Sequence, residues 1–310
     1  MRVQRLDWFR LALQFRGSVI PAVLPRTLLC GGFGLVVAQL YFSKLVIAQP
    51  IFRDVVPSIV LGLLLVFRTN TAYDRFWEGR KCWGMIVNTV RNLARQIWVV
   101  MPEYDPQDQA EKIAMLRLLV AFAVTTKLHL RQQPINHELE TLVKSSQFIR
   151  LQNMNNPPLE IAFWISDYLQ NQYHRDRVTN YQMVAMQHLL DILVDMLGGC
   201  ERILKTPIPL AYSIHLKQLL LIYCLLLPFQ MVRDLGWVTG PIVALVSFTL
   251  LGIEAIGTEI ENPFGDDPND LPLDAICATM LRNVEDLITL SPTAHSYRSE
   301  ITSNDIMITE

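Results

Sequence analysis

Apolar positions along this chain fall into blocks with helical spacing, and one block differs from the rest. Residues 55–83 open with Pro57 in a first helical turn, followed by an apolar run from Ile59 to Phe67. The run is about a dozen residues, short of the roughly 20 that cross a bilayer as an isolated helix. No Gly or Pro stops it, and it passes directly into the polar and aromatic RTNTAYDRFWE. At about 100° per residue, Ile59, Leu63, Val66, Phe67, Asn70 and Asp74 fall on one face. The spacing predicts one long helix that turns from apolar to polar while keeping a coherent stripe. A lipid-facing span has no need of the polar continuation, whereas a helix lining a passage through the membrane does.

The remaining blocks set the organisation around it. Residues 1–26 interleave Arg2, Arg5, Arg10, Arg16 and Arg26 with Trp8, Phe9, Leu11, Leu13 and Phe15, the pattern of a basic amphipathic segment at a membrane interface. Residues 27–48 are a first span, with Gly31, Gly32 and Gly34 permitting close helix approach. Residues 27–83 thus hold the first two membrane helices. Residues 84–215 read as a cytosolic helical region. Within it, 111–132 is the most apolar stretch, but Lys112, Arg117 and Lys127 recur at helical spacing, which predicts an amphipathic helix of a soluble-side bundle. Pro157 and Pro158 end one helix and start another, and residues 161–204 are helical again. Residues 216–257 form a membrane hairpin, 216–235 and 237–257, with Glu254 read as an interfacial carboxylate rather than an ion-path residue. Residues 258–310 are an acidic loop and a C-terminal segment. Alternating β patterns are missing. The distribution of Lys and Arg places both termini and residues 68–215 on the cytoplasmic or stromal side of four crossings.

Composition narrows the class. Of 310 residues, 51% are hydrophobic and 18% charged, a balance that fits a membrane protein with a large soluble part. A net charge of −2 argues against a nucleic-acid partner. Cys30, Cys82, Cys200, Cys224 and Cys277 lie scattered without ligand spacing and read as buried free thiols. The N-terminus lacks the short apolar core and small-residue cleavage site of a signal peptide, and a removed organelle transit peptide stays open. GxSxG, P-loop and HExxH motifs are missing and the six histidines lie apart, so no enzyme is expected.

One polar cluster remains, EIENPFGDDPNDLPLD at 259–274. Carboxylates crowded on a turn suit a hard cation such as calcium. The alternative is an acidic helix N-terminus, with Asn269 or Asp270 capping a helix that begins near Leu271.

RTNTAYDRFWEGRKCWG at 68–84 resembles the post-pore motif of the bestrophin family in its bacterial and chloroplast form. FRGSVIPAVLPR, GGCERILKTPIPLAYS (198–213) and NPFG with its acidic run resemble further family segments, in the family's order and across nearly the whole chain. The resemblance implies an all-α membrane protein, with four transmembrane helices per subunit and a large cytosolic helical bundle, assembled as a homopentamer around one axial pore in contact with lipid. It implies a multi-pass protein of a bacterial inner membrane or a thylakoid membrane that conducts small ions. An apolar neck maps to Ile59, Leu63 and Phe67, in agreement with the stripe read from periodicity. A second constriction maps near Val178. The calcium clasp of animal bestrophins maps to Glu259, Asn262, Asp267 and Asp270, although Pro268 and Asn269 interrupt the acidic run and bacterial relatives generally work without calcium. Conduction of monovalent anions such as chloride or bicarbonate is the first expectation. A cation channel of the same fold and a non-conducting membrane scaffold are the alternatives.

Overall fold

The computed structural model describes residues 13–44 and 56–290. Nearly all of them lie in helices: α1 Ile20–Phe42, α2 Val56–Val100, α3 Pro106–Leu130, α4 Ser145–Leu151, α5 Pro157–His174, α6 Asn180–Lys205, α7 Leu210–Leu235, α8 Thr239–Glu259 and α9 Leu273–Ile288. Among the described residues there is no strand. The chain divides into two compact units, Met1–Trp77 with Thr206–Asp270, and Glu78–Lys205 with Leu271–Glu310. The division falls within α2, which at 45 residues is one uninterrupted helix of roughly 68 Å at about 1.5 Å per residue.

The first unit contains α1, the opening of α2, α7 and α8. Backbone proximity joins α1 to α8. A Cβ on Gly31 would stand 2.8 Å from Ala244 Cβ, and one on Gly34 would stand 3.1 Å from Gly240 Cα. Small residues at these positions let the two helices approach to main-chain contact, where dispersion is strongest. Apolar clusters fill the rest: Cys30, Cys224, Leu227 and Val243 in one, and Leu61, Leu65, Leu216 and Leu220 in another. Gly236, at φ +53°, turns the chain between α7 and α8, and the neighbouring Trp237 stacks on Phe42 with ring centroids 5.2 Å apart.

Several boundaries differ from those expected. α1 begins at Ile20, seven residues before the expected span, because Pro21 sits in the first turn, where its missing N–H does no harm; the Ser18 hydroxyl accepts from the Ile20 amide. The basic segment expected over residues 1–26 therefore already contains helix; residues 1–12 lie outside the described residues, as do 45–48 of the first span and 291–310 of the C-terminal segment. α7 begins at Leu210 on Pro209, six residues earlier than hydropathy placed it.

The second unit is built on α3, and here the expected amphipathic helix is a misreading. Leu116 and every residue from Leu118 to Leu128 are buried, so α3 has no wet face along that stretch. It packs against α5, α6 and α9. The two lysines that suggested a polar stripe are 1% exposed, each with its own partners. Lys112 Nζ donates to Glu103 Oε1 at 2.7 Å and to the Met101 carbonyl at 2.8 Å, and lies 4.5 Å from the centre of the Trp98 ring. Lys127 Nζ donates to Glu138 at 2.6 Å and Asp274 at 2.7 Å. By contrast α6 is amphipathic, with Met183, Met186, Leu190, Leu193 and Leu197 buried at helical spacing and Asp191 and Asp195 exposed. Asn156 caps α5 by accepting from the Leu159 amide, with Pro157 in the first helical position, as the NNPP string implies.

Candidate pore-lining helix and its anchor

The opening of α2 has two unlike faces. Leu61, Leu65, Arg68 and Ala72 are buried, at intervals of three and four that place them on one side. On the opposite side Ile59 is 55% exposed, Leu63 51% and Phe67 62%. Asn70 and Asp74 extend that side, both exposed. A stripe of large apolar side chains that finds no partner in its own subunit needs lipid, a second copy of the chain, or a narrow pore to face.

The buried face is held by polar bonds as well as by leucines. Tyr212 donates to the Leu64 carbonyl at 2.8 Å, and Ser58 Oγ lies 3.0 Å from the Tyr223 hydroxyl. Arg68, only 3% exposed, donates through Nη2 to Glu261 Oε2 at 2.6 Å. The other Glu261 oxygen accepts from the Ile208 amide at 2.8 Å, and its backbone carbonyl accepts from Arg75 Nε at 3.2 Å. Arg75 also donates to the Thr206 carbonyl. One carboxylate therefore fixes the rotation of α2 about its axis and joins it to the segments that precede α7 and follow α8. Sequence reading missed this clamp. Its local signal is Arg68 directly after an apolar run, since a cation in that place needs a carboxylate partner, but 193 residues separate the two.

The acidic loop distributes its side chains among separate tasks. Asn262 Oδ1 accepts from the Phe264 amide at 3.3 Å, and Asp270 Oδ2 accepts from the Asp267 amide at 2.8 Å. Asn269 Nδ2 donates to Glu259 at 3.3 Å and to the Gly17 carbonyl at 3.2 Å. Among the described residues no three His, Cys, Asp or Glu side chains gather as a metal site. The capping alternative is corrected. α9 starts at Leu273 with Pro272 at the cap and no side-chain cap bond, because Asp270 is used inside the loop. Asp274 in its first turn pairs with Lys127 and Arg131.

Two further positions are buried within the chain. Glu254 is 5% exposed, bonded by the Thr258 hydroxyl at 3.2 Å and 3.7 Å from Lys217, so it is a buried, paired carboxylate. Val178 is 5% exposed, directed into its own unit, while Arg175, Asp176 and Thr179 of the same connection are exposed.

A family model described as bacterial/fungal bestrophin protein matches residues 1–286. A voltage-dependent anion channel-forming protein of Nostoc sp. is 64% identical over 304 residues, covering 98% of this chain and 99% of that one. The protein of the same description from Synechocystis sp. is 58% identical over 285 residues, covering 92% and 93%. A crystal structure of a bacterial bestrophin homologue from Klebsiella pneumoniae matches with a TM-score of 0.78 at 29% identity, over 88% of this chain and all of that one.

Proposed function

The chain belongs to the bestrophin family, in its bacterial and fungal branch, and on that basis we propose that it assembles as a homopentameric channel conducting monovalent anions through a single axial pore. The observation that carries this reading is the exposed stripe Ile59, Leu63 and Phe67 on the side of α2 opposite its packed face. Five such stripes around an axis enclose a narrow apolar tube, which gates by dewetting, so that small outward movements switch conduction. α1, the opening of α2, α7 and α8 supply the four crossings, and residues 84–215 supply a helical part on the cytoplasmic or stromal side. The amino end of α2 places the positive end of a helix dipole at the mouth, which favours anions. The relatives described as anion channel-forming proteins support the same choice.

A cation channel of the same fold is the second reading, favoured by the exposed Asp74 that continues the stripe beyond the neck. Reversal potentials of purified protein in bilayers across a salt gradient separate the two, and a lack of current from folded protein points to a scaffold. For the neck itself, the triple replacement Ile59→Ala, Leu63→Ala and Phe67→Ala is expected to leave the pentamer intact and raise the current. An assembled pentamer with unchanged current removes these residues from the pore. A folded monomer by mass measurement in mild detergent overturns the assembly.

A further inference from the structure

All five cysteines are buried and unbridged, yet they are not alike. Cys82 on α2 and Cys200 on α6 lie side by side, thiol beside thiol. The approach is close because α6 carries glycine beside the second cysteine: a Cβ on Gly199 would stand 3.1 Å from Cys82 Sγ. Cys82 therefore rests against the main chain of α6, next to its partner. An exposed ion pair joins the same two helices, Arg202 with Glu78 at 2.5 Å, with side chains 68% and 45% exposed. Cys30 and Cys224 also meet, but in an apolar cluster with Leu227 and Val243, in the unit proposed to lie in lipid.

We propose that Cys82 and Cys200 form a peroxide-sensitive dithiol, oxidised to an intramolecular disulfide that ties α2 to α6 within the second unit and reopened by a dithiol reductant. The neighbouring Cys200 thiol outweighs burial and holds the Cys82 thiol down at about 7, with Arg202 adding to the effect and Glu78 opposing it. The neighbouring Cys82 thiol, together with burial, pushes the Cys200 thiol up. The two sulfurs thus have different tasks. Cys82, the less buried of the two at 7% exposure against 0%, attacks a peroxide oxygen as its thiolate; an S–O bond forms, the O–O bond breaks, and hydroxide leaves as water after taking a proton. Cys200 then attacks the Cys82 sulfenic sulfur, the S–O bond breaks, and the second oxygen leaves as water with the Cys200 proton. Two thiols are oxidised and one hydrogen peroxide is reduced to two waters. Reversal passes both electrons from an added dithiol, which itself closes to a disulfide.

The test counts alkylated cysteines by intact mass in purified full-length protein, treated with hydrogen peroxide, denatured, and labelled with N-ethylmaleimide. Reduced protein carries five adducts, one for each cysteine of the sequence. Oxidised protein is expected to carry three, with a cross-linked peptide joining Cys82 to Cys200, and dithiothreitol treatment is expected to restore five. Cys200→Ser is expected to accumulate a dimedone-reactive sulfenic acid at Cys82, and Cys82→Ser to lose no adducts. Retention of five adducts overturns the proposal, as does a cross-link mapped to Cys30 and Cys224, or sulfinic acid at Cys82 with Cys200 still alkylated. Should either variant fail to fold, the peptide map of the unmutated protein decides alone.

Discussion

α3 and the opening of α2 are both apolar enough and long enough to cross a membrane, yet their side chains have different surroundings. In the most apolar window of α3, 78% of residues are buried inside the subunit; in that of α2, 22% are. Hydropathy measures dislike of water and says nothing of what replaces it. α3 has its own unit as solvent, and its lysines are accepted because carboxylates meet them there. The exposed face of α2 has no solvent within the subunit. In the proposed pentamer, the polar continuation through Asn70 and Asp74 favours a pore over lipid, since five such stripes would pass from an apolar constriction to water.

The sharpest way to test that contrast is to remove one ring from each helix. Phe122→Ala, at a site with no exposure, is expected to destabilise the protein by about 3–5 kcal/mol in denaturant titration. Phe67→Ala, 62% exposed, is expected to change stability by about 0.5 kcal/mol or less. Equal losses would mean that α2 is as packed as α3. A second comparison concerns charge. Replacing Glu138 by Gln and Asp274 by Asn together leaves Lys127 buried without a counter-charge, with an expected loss of about 2–3 kcal/mol, at the low end because both carboxylates touch water. Adding Lys127→Met should recover part of that loss; no recovery would show that the lysine matters by its shape and packing.

A third pair separates the α1–α8 seam from the open side of α1. Gly240→Ala would set a methyl 2.5 Å from Leu35 Cγ and 3.1 Å from the Gly31 carbonyl, with an expected loss of about 1–3 kcal/mol in melting experiments. Gly32→Ala meets nothing within 4 Å and should gain about 0.5–1 kcal/mol from helix propensity alone. The smallest effect is a pH dependence confined to the second unit. The Arg177 hydrogen bond holds the Asp108 carboxyl below its ordinary range. Burial alone would raise Asp274, but hydrogen bonds from Lys127 and Arg131 outweigh it and leave that carboxyl low too. Groups with depressed values give their full stability above the unfolded value, near 4, and lose it as pH falls through the folded one. Melting temperature should therefore fall as pH drops below about 4, and Asp108→Asn should make the fall shallower.

The parts of this molecule that sequence reveals are those whose causes are local. Helical period placed Ile59, Leu63 and Phe67 on one face, and the structure leaves that face exposed. Asn156 and Pro157 announced a helix start because capping is settled within four residues. α3 was misjudged because the partners of Lys127 are 11 and 147 residues away, and no window along the chain contains both. Arg68 and Glu261 escaped notice for the same reason. The start of α1 was misplaced because proline, usually a stop, is harmless in a first turn.

The seam of Gly31, Gly34, Gly240 and Ala244 has a consequence for mutational tolerance. In the second unit the sensitive positions are the largest side chains, and substitutions there do harm by taking volume away. Along the seam the sensitive positions are the smallest, and harm comes from adding volume. A saturation library of this chain should therefore split by the sign of the size change. Leu119 and Phe122 should reject small residues, while Gly31 and Gly240 should reject everything that carries a side chain.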